Sequence, residues 1–119
     1  MRKKYVAVLA LAMCLLSSCT DRQKAISLAE EFIEQYAVAP ELLQDCSFGK
    51  LGTTRVLSDS IIERLQNTKN ELLKSNTAFK QHVSGTPLQF IRMNYVVDGD
   101  TISHTFYFDE LLQHVVAVK

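Results

Sequence analysis

Ile91-Arg92-Met93-Asn94-Tyr95-Val96-Val97-Asp98-Gly99-Asp100-Thr101-Ile102-Ser103-His104-Thr105-Phe106-Tyr107-Phe108 decides the fold. Asp98-Gly99 lies between two runs of alternating character, and a two-residue type I′ turn needs two residues that tolerate positive φ. With the turn placed there, Val97 faces Asp100, Tyr95 faces Ile102, Met93 faces His104 and Ile91 faces Phe106. Successive side chains of a strand point to opposite faces. This register therefore gathers Ile91, Met93, Tyr95, Ile102, Phe106 and Phe108 on one face, and Arg92, Asn94, Ser103 and Thr105 on the other. A slip of one residue would mix the two sets, so turn and pattern agree independently.

Working outward, His114 to Val118 reads as a third strand, returning after a turn around Asp109-Glu110. Upstream, Ala25, Ile26, Ala29, Phe32, Ile33 and Tyr36 follow helical spacing from Gln23 to Tyr36, with Glu30, Glu31 and Glu34 largely opposite. Thr20 and Gln23 have capping-box spacing, and the Ala39-Pro40 step ends the helix. Pro40 to Leu57 carries strand character around Cys46-Ser47-Phe48 and Thr53 to Leu57, broken by Gly49 and Gly52, and reads as a loop or irregular edge strand. A second helix is expected from Ser58 or Ser60, capped with Glu63 in the latter case. Its inner stripe is Ile61, Leu65, Thr68, Leu72 and Phe79, flanked by Ile62 and Leu73; Ser75-Asn76-Thr77 weakens it and Gly85-Thr86-Pro87 stops it. Two helices followed by a three-stranded C-terminal meander predict one α+β domain over residues 23–119, with both helices packed on one face of a curved antiparallel sheet.

The chain has 119 residues, with 13 Lys and Arg against 13 Asp and Glu. Three of the bases, Arg2, Lys3 and Lys4, precede twelve uncharged residues from Tyr5 to Leu16, a run too short for the ~20 residues of a membrane-spanning helix. Leu16-Ser17-Ser18-Cys19 follows directly and resembles the lipobox of bacterial lipoproteins. The resemblance implies a signal peptide over residues 1–18, cleavage before Cys19, and diacylglyceryl and further acyl (palmitate-type) chains on Cys19, with residues 19–22 as a short tether. Several acyl chains together give stable membrane attachment. Thr20 rather than Asp follows Cys19, and no acidic cluster comes after it, which implies the outer membrane, facing the periplasm. Without the three leading bases the chain is mildly acidic, which argues against nucleic acid as a partner. With Cys14 removed and Cys19 lipidated, Cys46 is the one thiol left, expected to be packed as a small hydrophobe.

Ala29-Glu30-Glu31-Phe32-Ile33, Cys46-Ser47-Phe48-Gly49-Lys50-Leu51, the Phe90-Ile91-Arg92 strand with Tyr95, and Phe106-Tyr107-Phe108-Asp109 leading to Val115-Val116-Ala117-Val118-Lys119 occur together here. In this the chain resembles small lipoproteins of Bacteroidota. The resemblance implies a cystatin- or NTF2-like domain anchored in the cell envelope, and it supplies no catalytic residues.

Catalytic and metal signatures are missing from the pattern. Gly49-Lys50-Leu51-Gly52 matches the GXXG clamp of KH domains but lacks the flanking helices and basic surface, and a turn with two glycines accounts for it. His82, His104 and His114 have no i, i+4 partner and no Cys-x-x-Cys occurs; of Asp98, Asp100, Asp109 and Glu110, turn chemistry explains Asp98 and Asp109, and the four leave room for a weak calcium site but form no EF-hand-like ligand ladder. The expectation is a non-enzymatic protein without metal or cofactor. Two sets of residues remain as binding candidates. Phe90, Arg92, Asn94, Thr105 and Tyr107 share the solvent side of the hairpin, where aromatics beside an Arg suit a protein or glycan partner, although ordinary cross-strand pairing produces the same arrangement. Tyr95 and His104, on the apolar side, are either a hydrogen-bonded core pair or the lining of an NTF2-like pocket between helices and sheet, which would serve a small-ligand binder or, as the lesser alternative, an enzyme.

Overall fold

The computed structural model describes residues 17–68 and 70–119. Arg2-Lys3-Lys4, the apolar run that follows and Leu16 of the lipobox-like Leu16-Ser17-Ser18-Cys19 lie outside the described residues. The chain is α+β, with two helices and an open, five-stranded antiparallel sheet among the described residues. In chain order these are α1 (Ser17–Tyr36), a 3₁₀ turn (Pro40–Leu42), β1 (Gln44–Phe48), β2 (Gly52–Thr54), α2 (Asp59–Asn67), β3 (Leu88–Val97), β4 (Asp100–Phe108) and β5 (Val115–Val118).

The hairpin forms as its turn dictates. Asp98 and Gly99 have φ of 51° and 84°, and all four cross-strand pairs read from the sequence occur. β5 pairs with β4, completing a meander, while β1 and β2 pair in succession along the other edge of β3. Within the stretch from Pro40 to Leu57, Gln44–Phe48 and Gly52–Thr54 thus form one edge, interrupted at residues 49–51, after a 3₁₀ turn.

The turn between β4 and β5 is organised by one side chain. The Asp109 carboxylate accepts from the backbone N–H of Gln113 (2.7 Å) and His114 (3.1 Å) and from the His114 ring (2.8 Å). It closes a loop in which Leu112 adopts φ of 56°, a left-handed conformation unfavourable for a Leu.

Two core clusters form, and they lie on opposite faces of the sheet. On one face Ala25, Ala29, Phe32 and Ile33 of α1 pack on Ile91, Met93, Tyr95, Phe106, Phe108 and Val118. Phe32 is the hub, meeting Phe106 edge-on at 6.3 Å and Phe79 in a stacked contact at 5.5 Å. On the other face Ile62 of α2 packs with Leu88, Val116 and Ala117, and Leu57, Leu65 and Tyr107 lean on this cluster. The expectation of both helices on one face is therefore corrected. Leu88, Tyr107 and Ala117 fall on the polar-side parity of their strands, and their apolar surface is what α2 buries.

The second helix also differs from its expected extent and stripe. It is capped by Ser58, whose hydroxyl accepts from the Ile61 N–H (3.3 Å), not by Ser60. It ends at Asn67 because neighbouring side chains compete for its backbone groups. Thr68 Oγ1 donates to the Arg64 carbonyl (2.6 Å), and Asn70 Oδ1 accepts from the N–H of both Leu72 and Leu73 (2.9 and 3.0 Å). The Asn70 turn delivers Leu72 and Leu73 to the α1 core, where Leu73 bridges Ala37. Ile62, 2% exposed, is the inward residue, whereas Ile61 is 37% exposed.

Among the described residues α1 runs from Ser17, through the segment expected to be a signal end and tether, to Tyr36. Arg22 Nε donates to the Gly49 carbonyl (2.9 Å) and Nη2 to that of Phe48 (2.8 Å), pinning the first turns of α1 to the end of β1.

Candidate functional site

The five candidate residues on the solvent side of the hairpin share one face, with Phe90 opposite Tyr107, Arg92 opposite Thr105 and Asn94 opposite Ser103. They are not equally available. Phe90 lies against β2, its ring over Gly52, and meets Tyr107 at 6.2 Å. Tyr107 leans on the Ile62 cluster, and its burial pushes the phenol above its ordinary pKa. The accessible part of the face is Arg92 and Ser103, both exposed, with half-buried Asn94 and Thr105 beside them. The Ser103 hydroxyl donates to the Asn94 side-chain carbonyl, which holds that amide in one orientation. The result is a polar strip with a cation in it, bordered by an aromatic pair that is packed into the protein.

Tyr95 and His104 form a core pair. They are 2% and 7% exposed, with rings 5.7 Å apart and 12° from parallel. His104 Nδ1 donates to the main-chain oxygen of Lys119 (3.1 Å), because that oxygen only accepts. In the tautomer with its proton on Nδ1, Nε2 accepts from the Tyr95 hydroxyl (3.0 Å). Burial, then the charges of Glu71 and the Cys46 sulfur, push the Tyr95 phenol up, keeping it protonated as the donor. Both ring nitrogens are thereby satisfied inside the core, and the pair presents nothing to a ligand.

Cys46, expected to be packed, is exposed. It sits on β1, an edge strand of the sheet among the described residues. Partial burial, then the charges of Glu30 and Asp45, push its thiol up and away from the reactive thiolate. The sequence pattern missed the surroundings of this residue altogether. An open groove of about 790 Å³ lies beside it, lined by α1, the 3₁₀ turn and β1. The only signal was the run of acidic residues on α1, which reads equally well as a solvated helix face.

Among the described residues no group of three His, Cys, Asp or Glu is placed to hold a metal ion. Among them, too, no helix is long and apolar enough to cross a membrane. Compared with protein-family models, curated proteins and solved structures, the chain matches none.

Proposed function

We propose that this chain is a non-enzymatic envelope lipoprotein, anchored through acyl chains on Cys19 and binding a protein or glycan partner with the open strip of its sheet. The observation that carries the binding half is the placement of Arg92. It is exposed at the middle of β3, next to Asn94 and Thr105, while α2 shields only the Leu88 and Tyr107 end of that face. A guanidinium offers a rigid fork of donors, which suits a carboxylate or the vicinal hydroxyls of a sugar. The anchoring half is supported by the order basic segment, apolar run, Leu16-Ser17-Ser18-Cys19. Placement in the outer membrane, facing the periplasm, belongs to the same proposal and rests on Thr20 after Cys19 and the absence of an acidic cluster after it. The cystatin- or NTF2-like likeness and the membership among Bacteroidota lipoproteins are part of it as well.

Arg92→Glu tests the face without disturbing a core, since Arg92 is exposed, whereas Tyr107 is part of the α2 packing. Crosslinking in native envelopes is expected to recover a partner with the unaltered chain and to lose it with Arg92→Glu at equal protein level. Undiminished recovery removes the strip from consideration. For the anchor, a fatty-acid probe should label the chain but not Cys19→Ser, and retained label refutes lipidation there.

A further inference from the structure

The groove beside Cys46 has an apolar floor and an acidic rim. Ile33, Leu43 and Phe48 form the floor, with Met93 of the neighbouring strand beneath. Glu30 and Glu34 stand one turn apart on α1 and Glu41 projects from the 3₁₀ turn, so the carboxylates come from two separate elements. Among the described residues no Lys, Arg or His lines the groove. The three glutamates are exposed, and among the described residues no ion pair engages them. Arg22, two turns earlier on α1, is committed to the carbonyls of Phe48 and Gly49 instead. One wall is β1, among the described residues an edge strand of the sheet, bulged between Gln44 and Ser47 and with its Phe48 carbonyl taken by Arg22.

We propose that this groove binds a short extended segment of a partner protein in which Lys or Arg alternates with apolar residues. Each part of the groove meets one part of such a segment. An apolar side chain fits the Ile33, Leu43 and Phe48 floor. The aliphatic stem of Lys or Arg lies along it while the charged head reaches the glutamate rim. The extended main chain has β1 beside it for strand-like pairing. A volume of about 790 Å³ holds a few residues rather than a folded element. An acidic peptide meets three carboxylates with no counter-charge and is rejected.

Cys46 opens into the groove and is a built-in reporter. The full chain is labelled with a pair of methanethiosulfonate reagents of matched size, one bearing trimethylammonium and one sulfonate, and modification at Cys46 is followed by mass spectrometry. The cationic reagent is expected to react about tenfold faster, with the ratio falling toward one in the variant Glu30→Gln, Glu34→Gln, Glu41→Gln. A pentapeptide Lys-Leu-Lys-Leu-Lys should bind saturably and protect Cys46, its Glu-Leu counterpart should not, and the triple variant should bind the first about tenfold more weakly. Equal protection by both peptides overturns the proposal, as does binding unchanged in the triple variant. Lysine ethyl ester protecting as well as the pentapeptide also overturns it, because the groove is then only an amine site. Should the triple variant fail to fold, the reagent ratio of the unaltered chain decides, and a ratio of one refutes the acidic rim. Arg92→Glu reads the sheet strip independently, so the two binding proposals stand or fall apart.

Discussion

Gly52 and Phe90 are opposite each other in the β2–β3 register, and the Phe90 ring lies directly over the glycine. A Cβ at residue 52 would stand 2.6 Å from Phe90 Cζ, 2.9 Å from Cε2 and 3.1 Å from Cε1. Carbon atoms in contact prefer about 3.5–4.0 Å, so Gly52→Ala requires the ring to withdraw by roughly 1 Å. Tyr107 stands on the far side at 6.2 Å between centroids and restricts that movement. Overpacking of this kind costs about 1–3 kcal/mol, and the half-buried setting places the expectation near 2 kcal/mol. Phe90→Ala alone removes a half-buried ring and should cost about 1–2 kcal/mol. In the double variant the obstruction is gone, and Ala in a strand is then better than Gly by about 0.5 kcal/mol. The two substitutions should thus show a coupling of about 2.5 kcal/mol in favour of the double variant. Urea unfolding of the four proteins, followed by far-ultraviolet circular dichroism, measures this cycle. Additivity to within about 0.5 kcal/mol would refute the seating of the ring on Gly52, and would return Phe90 to the surface available for a partner.

Three further outcomes follow from the described contacts. Asp109→Ala removes the acceptor of three hydrogen bonds and leaves the left-handed Leu112 unsupported, for an expected loss of about 2–3 kcal/mol in urea unfolding. Burial raises the Asp109 pKa, but the Gln113 N–H and the ring, N–H and charge of His114 outweigh it and bring the group below its ordinary value. Its contribution is therefore complete above the unfolded carboxyl pKa of about 4 and fades as pH falls through the lower folded value, a fading that Asp109→Ala should not show. Tyr95→Phe leaves His104 Nε2 buried without its donor and should cost about 1–3 kcal/mol, measured by thermal unfolding; a neutral result would show that water reaches the ring. Ile62→Ala should destabilise by about 2–4 kcal/mol while Ile61→Ala stays within about 1 kcal/mol, and the reverse order would mean that α2 presents its other side to the sheet.

The hairpin was readable from residues 91–108 because everything that specifies it is local. Asp98-Gly99 supplies the positive φ, and strands joined by two residues have no register to search. The same holds for the buried stripe of α1, whose Ala25, Ala29, Phe32 and Ile33 repeat at helical spacing within one segment. The return of β5 was legible as a run of Val residues, and the interrupted edge strand as glycines within strand-like sequence.

What tertiary structure alone decided is whatever depends on a distant partner. Ile61 and Ile62 are adjacent and equally apolar, and the choice between them is made by Leu88 and Val116, which lie far along the chain and on the opposite face from α1. The end of α2 looked like a continuing apolar stripe, but the Asn70 turn carries Leu72 and Leu73 back to the α1 core instead. Tyr95 and His104 became a closed pair because the main chain at Lys119 returns beside β4 and offers an oxygen to Nδ1. Cys46 and the glutamates of α1 and the 3₁₀ turn share a groove because β1, an edge strand among the described residues, is brought beside α1 by the fold. Periodicity along a segment says which residues turn inward together, since it follows from the geometry of that segment. Which sheet face a helix covers, and which edge stays open, is settled by packing among segments, where the energy of burial depends on residues the local pattern does not contain.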